Sequence, residues 1–493
     1  MNIKTPLTAI DLYKTNHINF YPENLTVMYE NFTPRSTKHL VKIEGTDDKV
    51  VLIGLQYFIK WWLMDVWQNQ FFNKPFEYSF NYYSARMNGC LGEGKYPTEH
   101  FAKLHKLGYL PILIKALPEG SVVNSGIPYF TIKNTHDDFA WLPGFLEDTI
   151  SNLIWRAATS ATISRKYKQI ATKYAKETTD DISYVDFFFH DFQLRGTGGI
   201  QDAMLSGAGH LCNFFGSDNT PAMDFMQDYY GATGLIGCGV VANEHSCVCA
   251  GGKENEFANY KKWITQDFPE GIVSLVSDTW NLWNVITNYL PKLRNEILQR
   301  KGKVVIRPDS SPKTPLEIIC GDPDAPANSP ESKGVVQLLW EIFGGTVNKK
   351  GYKELDSHIG MIYGEAIQMP LLVKIYQKLK EKGFAANSCV FGIGSGAFLY
   401  GITRDTLSFA CKATACVKDG KLEEVFKDPI TDSGSKKSAK GLLRVDKVDG
   451  EYILRDCVTP EEEAGGELKE VFRDGKLLID QTLAEIRARV NNS

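Results

Sequence analysis

The sequence lacks the cysteine patterns that bind zinc or build disulfide frameworks. Ten cysteines are scattered along 493 residues, and none belongs to a Cys-x-x-Cys pair. The closest two, Cys247 and Cys249, have no second pair to complete a tetrahedral site. We therefore expect reduced and mostly buried thiols, as in a cytoplasmic protein.

Long apolar runs and an excess of basic residues are also missing. No stretch approaches the roughly 18 uncharged apolar residues of a membrane-spanning helix, and Met1–Pro6 lacks the apolar core of a signal peptide. The net charge of -4 argues against non-specific binding of nucleic acid, which needs a basic surface. The sequence thus predicts neither a membrane nor a nucleic-acid partner, while a local basic pocket stays compatible with it.

What is present is a globular composition with strand and helix patterns that change along the chain. The 43% hydrophobic and 23% charged residues are typical of a folded protein, and the length exceeds one ordinary core. Up to about residue 145, aromatic-rich helix patterns mix with short strands. From there to about residue 400, apolar strand runs alternate with helices, which indicates a parallel sheet or barrel. Asp-Gly pairs at 419, 449 and 474 then predict hairpin turns.

The predicted fold class is therefore α/β. We expect an irregular, TIM-like parallel α/β barrel with a flanking mixed α+β domain built from both termini. The predicted divisions are an N-terminal α+β region over 1–145, a barrel core over 146–400, and a C-terminal α+β region over 401–493 that packs with the N-terminal part.

The segment from Lys303 to Ser311 shows how polar residues follow the strand patterns. The apolar run Val304–Ile306 indicates a buried parallel strand, and Pro308 ends it because proline cannot donate to a sheet ladder. Arg307 and Asp309 should project together, since side chains two apart on an extended chain face the same way. Taken alone, an ordinary surface ion pair is an equally good interpretation.

Other strand patterns end in the same way. They comprise Tyr184–Phe189 before His190 and Asp191, Gly271–Asp278, His358–Glu365, and Ser388–Gly396. Because the carboxyl ends of barrel strands meet at one rim, these endings predict a single active site there.

Several residues near these strand ends could carry chemistry. His245 could be a general base, a metal ligand or a phosphate acceptor, with Asp278 orienting the imidazole, although a satisfied core histidine is the better interpretation in isolation. Phe192 could stack on a planar heterocycle, and Arg195 could hold a phosphate, although core packing is favoured for an isolated phenylalanine. The Gly392–Gly396 turn could cradle a phosphate.

In their order along the chain, these segments resemble the type II phosphoribosyltransferase family, and within it the members that use nicotinamide. The resemblance runs through most of the chain. The matching segments are Asp11–His17, Gly54–Tyr57, His190–Gly196, Gly216–Asp218, Glu244–Ser246, Val276–Asp278, Ile306–Ser310, Thr403–Asp405 and Val425–Pro429.

The resemblance implies the reaction and its participants. Nicotinamide would attack C1 of 5-phosphoribosyl-1-pyrophosphate, giving nicotinamide mononucleotide and pyrophosphate in NAD salvage. Mg²⁺, held mainly by substrate phosphates rather than by protein ligands, would neutralise the leaving pyrophosphate. ATP hydrolysis through a phosphohistidine, His245 positioned by Asp278, would be coupled to turnover. The family forms homodimers with shared active sites.

The resemblance also assigns residues to the substrates. Phe192 would stack on one face of nicotinamide, and Tyr13 of the second subunit on the other. Asp218 would accept a hydrogen bond from the carboxamide. Arg195 and Arg307 would bind the nicotinamide or pyrophosphate end, and Asp309 would bind ribose hydroxyls. The residues assigned to the ribose and 5'-phosphate are Gly364, Glu365, Gly394, Ser395 and Gly396. Arg404 and Lys412 would be contributed across the dimer.

The sequence departs from the family pattern at Gly239 and Ala410, where a serine is usual, at Ser311, where a glycine is usual, and at Glu365, where an aspartate is usual. Two alternatives stay open. One is a nicotinate phosphoribosyltransferase, which Asp218 disfavours because like charges would meet. The other is a catalytically silent nucleotide-binding protein on the same fold.

Overall fold

A six-stranded parallel sheet lies at the centre of the structure, a computed structural model that describes residues 3–311, 313–364, 367–427 and 439–493. We number its strands in chain order as β1 (Phe189–Asp191), β2 (Val241–Ala242), β3 (Glu270–Val276), β4 (Lys301–Arg307), β5 (Ile359–Tyr363) and β6 (Val390–Ile393). The spatial order is β1-β6-β5-β4-β3-β2, and every neighbouring pair is parallel.

The sheet curls until its two edges approach each other. Parallel bridges join Asp191 to Ser217 and Gly216 to Cys238, so residues 216–217 lie between β1 and the segment that leads into β2. We call this two-residue segment the seam. The predicted irregular parallel α/β barrel is thus confirmed.

Apolar residues explain why these runs form strands. Val304 and Ile306 of β4 and Val276 of β3 are fully buried, and Met361 of β5 is 1% exposed. Strands that are buried on both faces have nearly continuous apolar sequences, and these apolar sequences are the pattern from which the strands were predicted.

One predicted strand is wrong in most of its length. Residues Ser183–Phe187 form a 3-10 helix, and only Phe189–Asp191 enters the sheet. Aromatic packing overrides the strand propensity here, since the rings of Tyr184 and Phe188 lie 4.4 Å apart and Phe187 stacks on Phe215.

A 37-residue helix, Leu142–Thr178, runs between the barrel and the rest of the molecule. It packs closely on the helix Ile200–Leu211, where Gly209 permits the approach: a Cβ at Gly209 would lie 2.5 Å from the carbonyl oxygen of Ala157. The other α-helices are Leu55–Tyr57, Phe76–Leu91, Glu99–Leu107, Thr220–Tyr230, His245–Gly251, Glu256–Lys262, Leu282–Asn284, Leu290–Lys292, Arg294–Leu298, Pro315–Cys320, Pro330–Lys333, Val335–Phe343, Met369–Glu381, Ser395–Phe398, Pro460–Glu463 and Leu483–Asn491.

A seven-stranded sheet combines segments from both ends of the chain, and we call it, with its flanking segments, the terminal layer. Its strands are Leu25–Pro34, Ile112–Ala116, Phe130–Asn134, Phe409–Lys418, Lys421–Glu424, Lys469–Arg473 and Lys476–Leu477. Two-stranded sheets pair Val50–Val51 with Val122–Val123, Gly345–Val347 with Lys353–Leu355, and Leu442–Val448 with Glu451–Val458.

The three Asp-Gly pairs form hairpin turns as predicted. Asp419, Asp449 and Asp474 have φ angles of 50°, 51° and 50°, and each following glycine is also left-handed. Positive φ at both central residues is what a two-residue turn between antiparallel strands requires.

The ten cysteines are all free, but only half are buried, so the prediction of mostly buried thiols is only partly correct. Within the part of the chain that the structure describes, no helix is both long enough and apolar enough to span a membrane.

Candidate active site at the barrel rim

The predicted barrel residues follow the carboxyl ends of the strands. Phe192 and Arg195 come after β1, Asp218 comes after the seam, and His245 comes after β2. The others follow the remaining strands in turn: Asp278 after β3, Asp309 after β4, Gly364 after β5, and Gly394, Ser395 and Gly396 after β6. One rim therefore carries all of these residues, as expected for a parallel barrel.

Five residues that end or follow β2, β3 and β4 form what we call the rim cluster: His245, Asp278, Arg307, Asp309 and Ser310. His245 Nε2 lies 3.0 Å from Asp278 Oδ1. The other oxygen of Asp278 accepts the backbone N–H of Asp309 at 2.9 Å and the hydroxyl of Ser310. Asp278 thus ties the loop after β4 to the imidazole that follows β2.

The electrostatics of Asp278 favour its charged form. Burial raises the pKa of this carboxyl, but the hydrogen bonds from Ser310, the Asp309 amide and His245 outweigh burial, so its pKa lies below the usual value. The Asp278 side chain is 5% exposed and that of His245 is 44% exposed. A buried carboxylate therefore fixes an imidazole that stays open to the cleft.

Arg307 is positioned by Asn243, the residue that follows β2. Its guanidinium donates to the carbonyl oxygen of Asn243, and the Asn243 side chain in turn accepts the Val276 amide at 2.7 Å. The cation is thereby held at the rim next to the residues that follow β2 and β3.

Asp218 lies within the electrostatic reach of Arg307. Although Asp218 is open to the cleft, desolvation by the surrounding protein raises its pKa, Arg307 acts in the opposite direction, and Asp191 adds to the increase. The Asp218 backbone is anchored, since its amide donates to the Asp191 carbonyl at 3.1 Å. A Cβ on the neighbouring Gly239 would lie 2.8 Å from Asp218 Oδ1.

Phe192 lies over the end of β6. A Cβ at Gly392 would stand 2.5 Å from Cδ2 of the Phe192 ring, so a glycine is required there. The half-buried ring can therefore present a face to the cleft. Arg195 is exposed on the turn Leu194–Gly196 that follows.

The remaining predicted rim positions include three glycines, Gly364, Gly394 and Gly396, whose lack of a side chain exposes the backbone to neighbouring groups or to open space. Asp309 Oδ1 lies directly against Gly364, where a Cβ would collide with it. Above Gly394 and Gly396 a Cβ would meet nothing within 4 Å, so their backbone borders open space. Glu365 lies outside the described residues, as do the last two residues of the predicted Val425–Pro429 motif.

The predicted residues of the terminal layer are not part of the rim cluster. Tyr13, with 63% of its surface exposed, and Arg404 line one cleft of about 620 Å³. Lys412 lines another cleft of about 900 Å³ and lies 3.8 Å from Glu147.

Sequence reasoning missed the residues that support Asp218. The fully buried Asp191 accepts the Gln193 amide at 2.9 Å and the side-chain amide of Asn219 at 3.1 Å. Asn219 also donates to the Ala203 carbonyl at 2.9 Å. The available signal was the position of Asp191 just after a predicted strand and of Asn219 next to the Gly216–Asp218 motif.

In residues 3–311, 313–364, 367–427 and 439–493, no group of three or more His, Cys, Asp or Glu side chains is arranged to hold an ion.

Comparison with known proteins decides the family. Residues 187–476 match the model of the nicotinate phosphoribosyltransferase (NAPRTase) family. The chain is 46% identical over 491 residues to the nicotinamide phosphoribosyltransferase of Acinetobacter baylyi, covering 98% of this chain and 97% of that protein. This chain belongs to the NAPRTase family.

Further similarities agree with this family. The phosphoribosyltransferase is 33% identical to the nicotinamide phosphoribosyltransferase of Xanthomonas campestris, with 98% of each chain covered. In fold it is similar to the nicotinate-nucleotide pyrophosphorylase of Pyrococcus furiosus, with a TM-score of 0.55, 14% identity and coverage of 99% and 94% of the two chains. The protein is thus a phosphoribosyltransferase, and the resemblance seen in the sequence is confirmed.

Proposed function

We propose that this enzyme transfers the 5-phosphoribosyl group of phosphoribosyl pyrophosphate to nicotinamide, giving nicotinamide mononucleotide and pyrophosphate for NAD salvage. The observation that carries the proposal is nearly full-length similarity, at 46% identity, to a protein named for that reaction. An acidic side chain, Asp218, at the open rim of the barrel supports the same substrate.

Asp218 selects the base through hydrogen bonding and charge. An ionised carboxylate can only accept hydrogen bonds, so it matches the NH2 group of a carboxamide. Nicotinate would bring a second carboxylate against it, and like charges in a partly desolvated pocket repel. Phe192 supplies a stacking face for the pyridine ring.

The other stacking face comes from a second copy of the chain. Tyr13 is largely exposed and lies in the terminal layer, outside the rim cluster. In a homodimer with shared sites, Tyr13, Arg404 and Lys412 of one protomer would complete the rim of the other. Their exposure supports this arrangement, because groups that act on a partner must be open in the single chain.

The rim cluster would hold the phosphoribosyl donor. Asp309 accepts hydrogen bonds from ribose hydroxyls, and Arg195 and Arg307 attract the pyrophosphate or the base. The open backbone at Gly394 and Gly396 would let the 5'-phosphate approach closely, with Ser395 between them and Gly364, beside Asp309, completing this side of the site. Mg²⁺ bound mainly by the substrate phosphates would neutralise the leaving pyrophosphate.

His245 is suited to accept a phosphoryl group from ATP. Since the Asp278 carboxylate accepts from Nε2–H, the neutral imidazole carries its lone pair on Nδ1. That nitrogen can attack the γ-phosphorus, breaking its bond to the bridging oxygen and releasing ADP, while Asp278 stabilises the positive charge on the imidazole. Hydrolysis of the phosphohistidine would be coupled to turnover.

A product assay tests the proposal. Labelled phosphoribosyl pyrophosphate is incubated with the enzyme and either nicotinamide or nicotinate, with and without ATP. We expect nicotinamide mononucleotide to form faster than the nicotinate product, with ATP increasing the yield. Preference for nicotinate would favour the alternative substrate, and no product from either base would indicate a silent binding protein.

A further inference from the structure

One arginine of the long helix Leu142–Thr178 is buried. Arg156 is 3% exposed, and a charge this deep in a protein needs charged or hydrogen-bonding partners. Its Nε donates to Asp202 Oδ1 at 2.6 Å, and its Nη1 donates to the Phe398 carbonyl oxygen at 2.6 Å. One guanidinium therefore contacts two segments that lie far apart along the chain.

Asp202 connects this arginine to the rim turn that follows β1. Its second oxygen, Oδ2, accepts the backbone N–H of Gly198 at 2.8 Å. Gly198 follows closely after the turn Leu194–Gly196, which carries Arg195. The two oxygens of Asp202 thus have different partners, Arg156 for one and the segment of the Arg195 turn for the other.

Phe398 connects the same arginine to the turn proposed for the 5'-phosphate. It is the last residue of the helix Ser395–Phe398, which begins within Gly394–Gly396. The two rim turns also touch each other, because a Cβ at Gly196 would lie 2.5 Å from Ser395 Oγ. The ion pair and this contact together fix the two turns relative to each other.

The residues proposed for the base are anchored by other bonds. The Phe192 amide donates to the Ile393 carbonyl at 3.0 Å, and the Asp218 amide donates to the Asp191 carbonyl at 3.1 Å. Loss of the ion pair should therefore displace the two turns and leave the stacking and carboxamide contacts in place.

We propose that Arg156 and Asp202 are positioning residues for the phosphoribosyl donor, which hold the Arg195 turn and the Gly394–Gly396 turn at the spacing that its pyrophosphate and 5'-phosphate require. The inference rests on the proposed function and adds two residues that act through the turns. Their spacing matters because a displacement of about 1 Å at a binding group can cost about 100-fold in rate.

The test is steady-state kinetics of Asp202→Asn. Asparagine has a single acceptor oxygen, so it cannot accept from Arg156 and from the Gly198 amide in the way that the two carboxylate oxygens do. We expect the KM for phosphoribosyl pyrophosphate to rise about tenfold, the effect of one lost charge-assisted hydrogen bond, and the KM for nicotinamide to change less than about twofold. A merely structural role would lower the folded fraction, and hence kcat, and leave both KM values unchanged.

Variants of Arg156 show whether the two residues act as one unit. Arg156→Lys keeps the positive charge but loses the fork that reaches two acceptors, so its donor KM should lie between those of the parent and Arg156→Gln. Adding Arg156→Gln to Asp202→Asn should raise the donor KM by less than about twofold more, because residues in one hydrogen-bonded pair are not additive.

The matched control is Asp47→Asn, which removes the same charge from a similar ion pair. Asp47 accepts from Arg165 of the same long helix, also at 2.6 Å, and the side-chain exposures of 35% and 9% are close to the 27% and 4% of the pair at Asp202. Asp47 also accepts from the Lys49 amide and the Gln169 side chain, which do not belong to the rim turns. This control should leave both KM values unchanged.

Three kinetic results would overturn the positioning role. They are a donor KM for Asp202→Asn within about twofold of the parent, a rise no larger than that of the nicotinamide KM, and an equal rise in Asp47→Asn.

Amide hydrogen exchange gives a readout that is independent of activity. In Asp202→Asn, the amides of residues 194–199 and 395–399 should both exchange faster than in the parent, because the bonds that restrain the two turns are lost. Unchanged exchange over 395–399 would disprove the connection between the turns. Absence of product from the parent enzyme would instead count against the proposed function, and the exchange comparison would still decide whether the ion pair holds the turns.

Discussion

The barrel rim and the terminal layer hold their candidate residues in different ways. In the rim cluster, Asp278 receives hydrogen bonds from two groups of the loop after β4 and from an imidazole, and Arg307 donates to Asn243. In the terminal layer, Tyr13 is 63% exposed and the Arg404 side chain is 50% exposed. One region is pre-organised within a single chain, and the other presents open groups that a second chain can use.

Removal of a rim carboxylate should have the largest effect. We expect Asp309→Ala to lower kcat/KM by roughly 100- to 1000-fold, since a pre-organised group at the reacting sugar acts in the transition state. Steady-state product formation measures the loss. Asp324→Ala, at an exposed aspartate paired with Lys313, is the control and should keep full activity. A loss below about fivefold would show that the rim is not the reacting region.

Mixed dimers would test the proposed homodimer with shared active sites. Tyr13→Ala and Asp309→Ala should each be nearly inactive, but mixing them after dissociation should restore about a quarter of the parental activity, because half of the dimers would then have one intact site. Activity is followed during subunit exchange. If Tyr13 acts within its own chain, each site in a mixed dimer retains one defect and no activity returns.

Base preference should respond to the charge at Asp218. We expect Asp218→Ser to weaken nicotinamide use and increase nicotinate use, shifting the ratio of kcat/KM values by about tenfold. Since the pKa of Asp218 is raised by burial, protonation at falling pH should also reduce the discrimination in the parent enzyme. The ratio for Asp218→Ser should not change in this way with pH, and a parallel decline would assign the titration elsewhere.

The proposed role of His245 in ATP coupling should be separable from the basal synthesis reaction. We expect His245→Ala to remove the stimulation by ATP while some synthesis remains. The control is His358→Ala, because His358 pairs with Asp356 at 2.7 Å just before β5, at the opposite end of the barrel. Initial rates with and without ATP are compared, and an unaltered response in His245→Ala would exclude that residue from the coupling.

The terminal layer contains a buried carboxyl, that of Glu30, whose ionisation lowers the stability of the folded chain. Its substitution should have the smallest of the predicted effects. Burial raises the pKa of Glu30 to about 7, although the Cys411 thiol donates to it. A raised folded-state pKa means that stability is full at acid pH and falls as pH rises from about 4.5 to about 7. Glu30→Gln should thus raise the melting temperature by a few degrees at pH 8 but not at pH 4.

Thermal unfolding at the two pH values checks this prediction, with the exposed Glu23→Gln as the control. Equal melting temperatures for Glu30→Gln and the parent at pH 8 would show that Glu30 does not lose stability on ionising.

The sequence predicted the parts of the fold that depend on local patterns. Apolar runs marked β3 to β6, and the Asp-Gly pairs marked three turns, because hydrophobic periodicity and left-handed φ preferences are properties of short segments. The helix at Ser183–Phe187 was missed because ring packing against distant residues overrides propensity. The support that Asp191 and Asn219 give to Asp218 depends on contacts across strands, which periodicity does not reveal.

The seam has a consequence for how such an enzyme changes over evolutionary time. Asp278 and Asp309 follow strands of seven residues each, whereas Asp218 follows a closure made by two isolated bridges. Changes beside the closure disturb few ladder bonds, so Asp218, the proposed base-recognition residue, can be altered with little effect on the strands that precede Asp278 and Asp309. A join with one bridge on each side has fewer ladder bonds than the joins between the other strands, so within the barrel sheet amide hydrogen exchange should be fastest there.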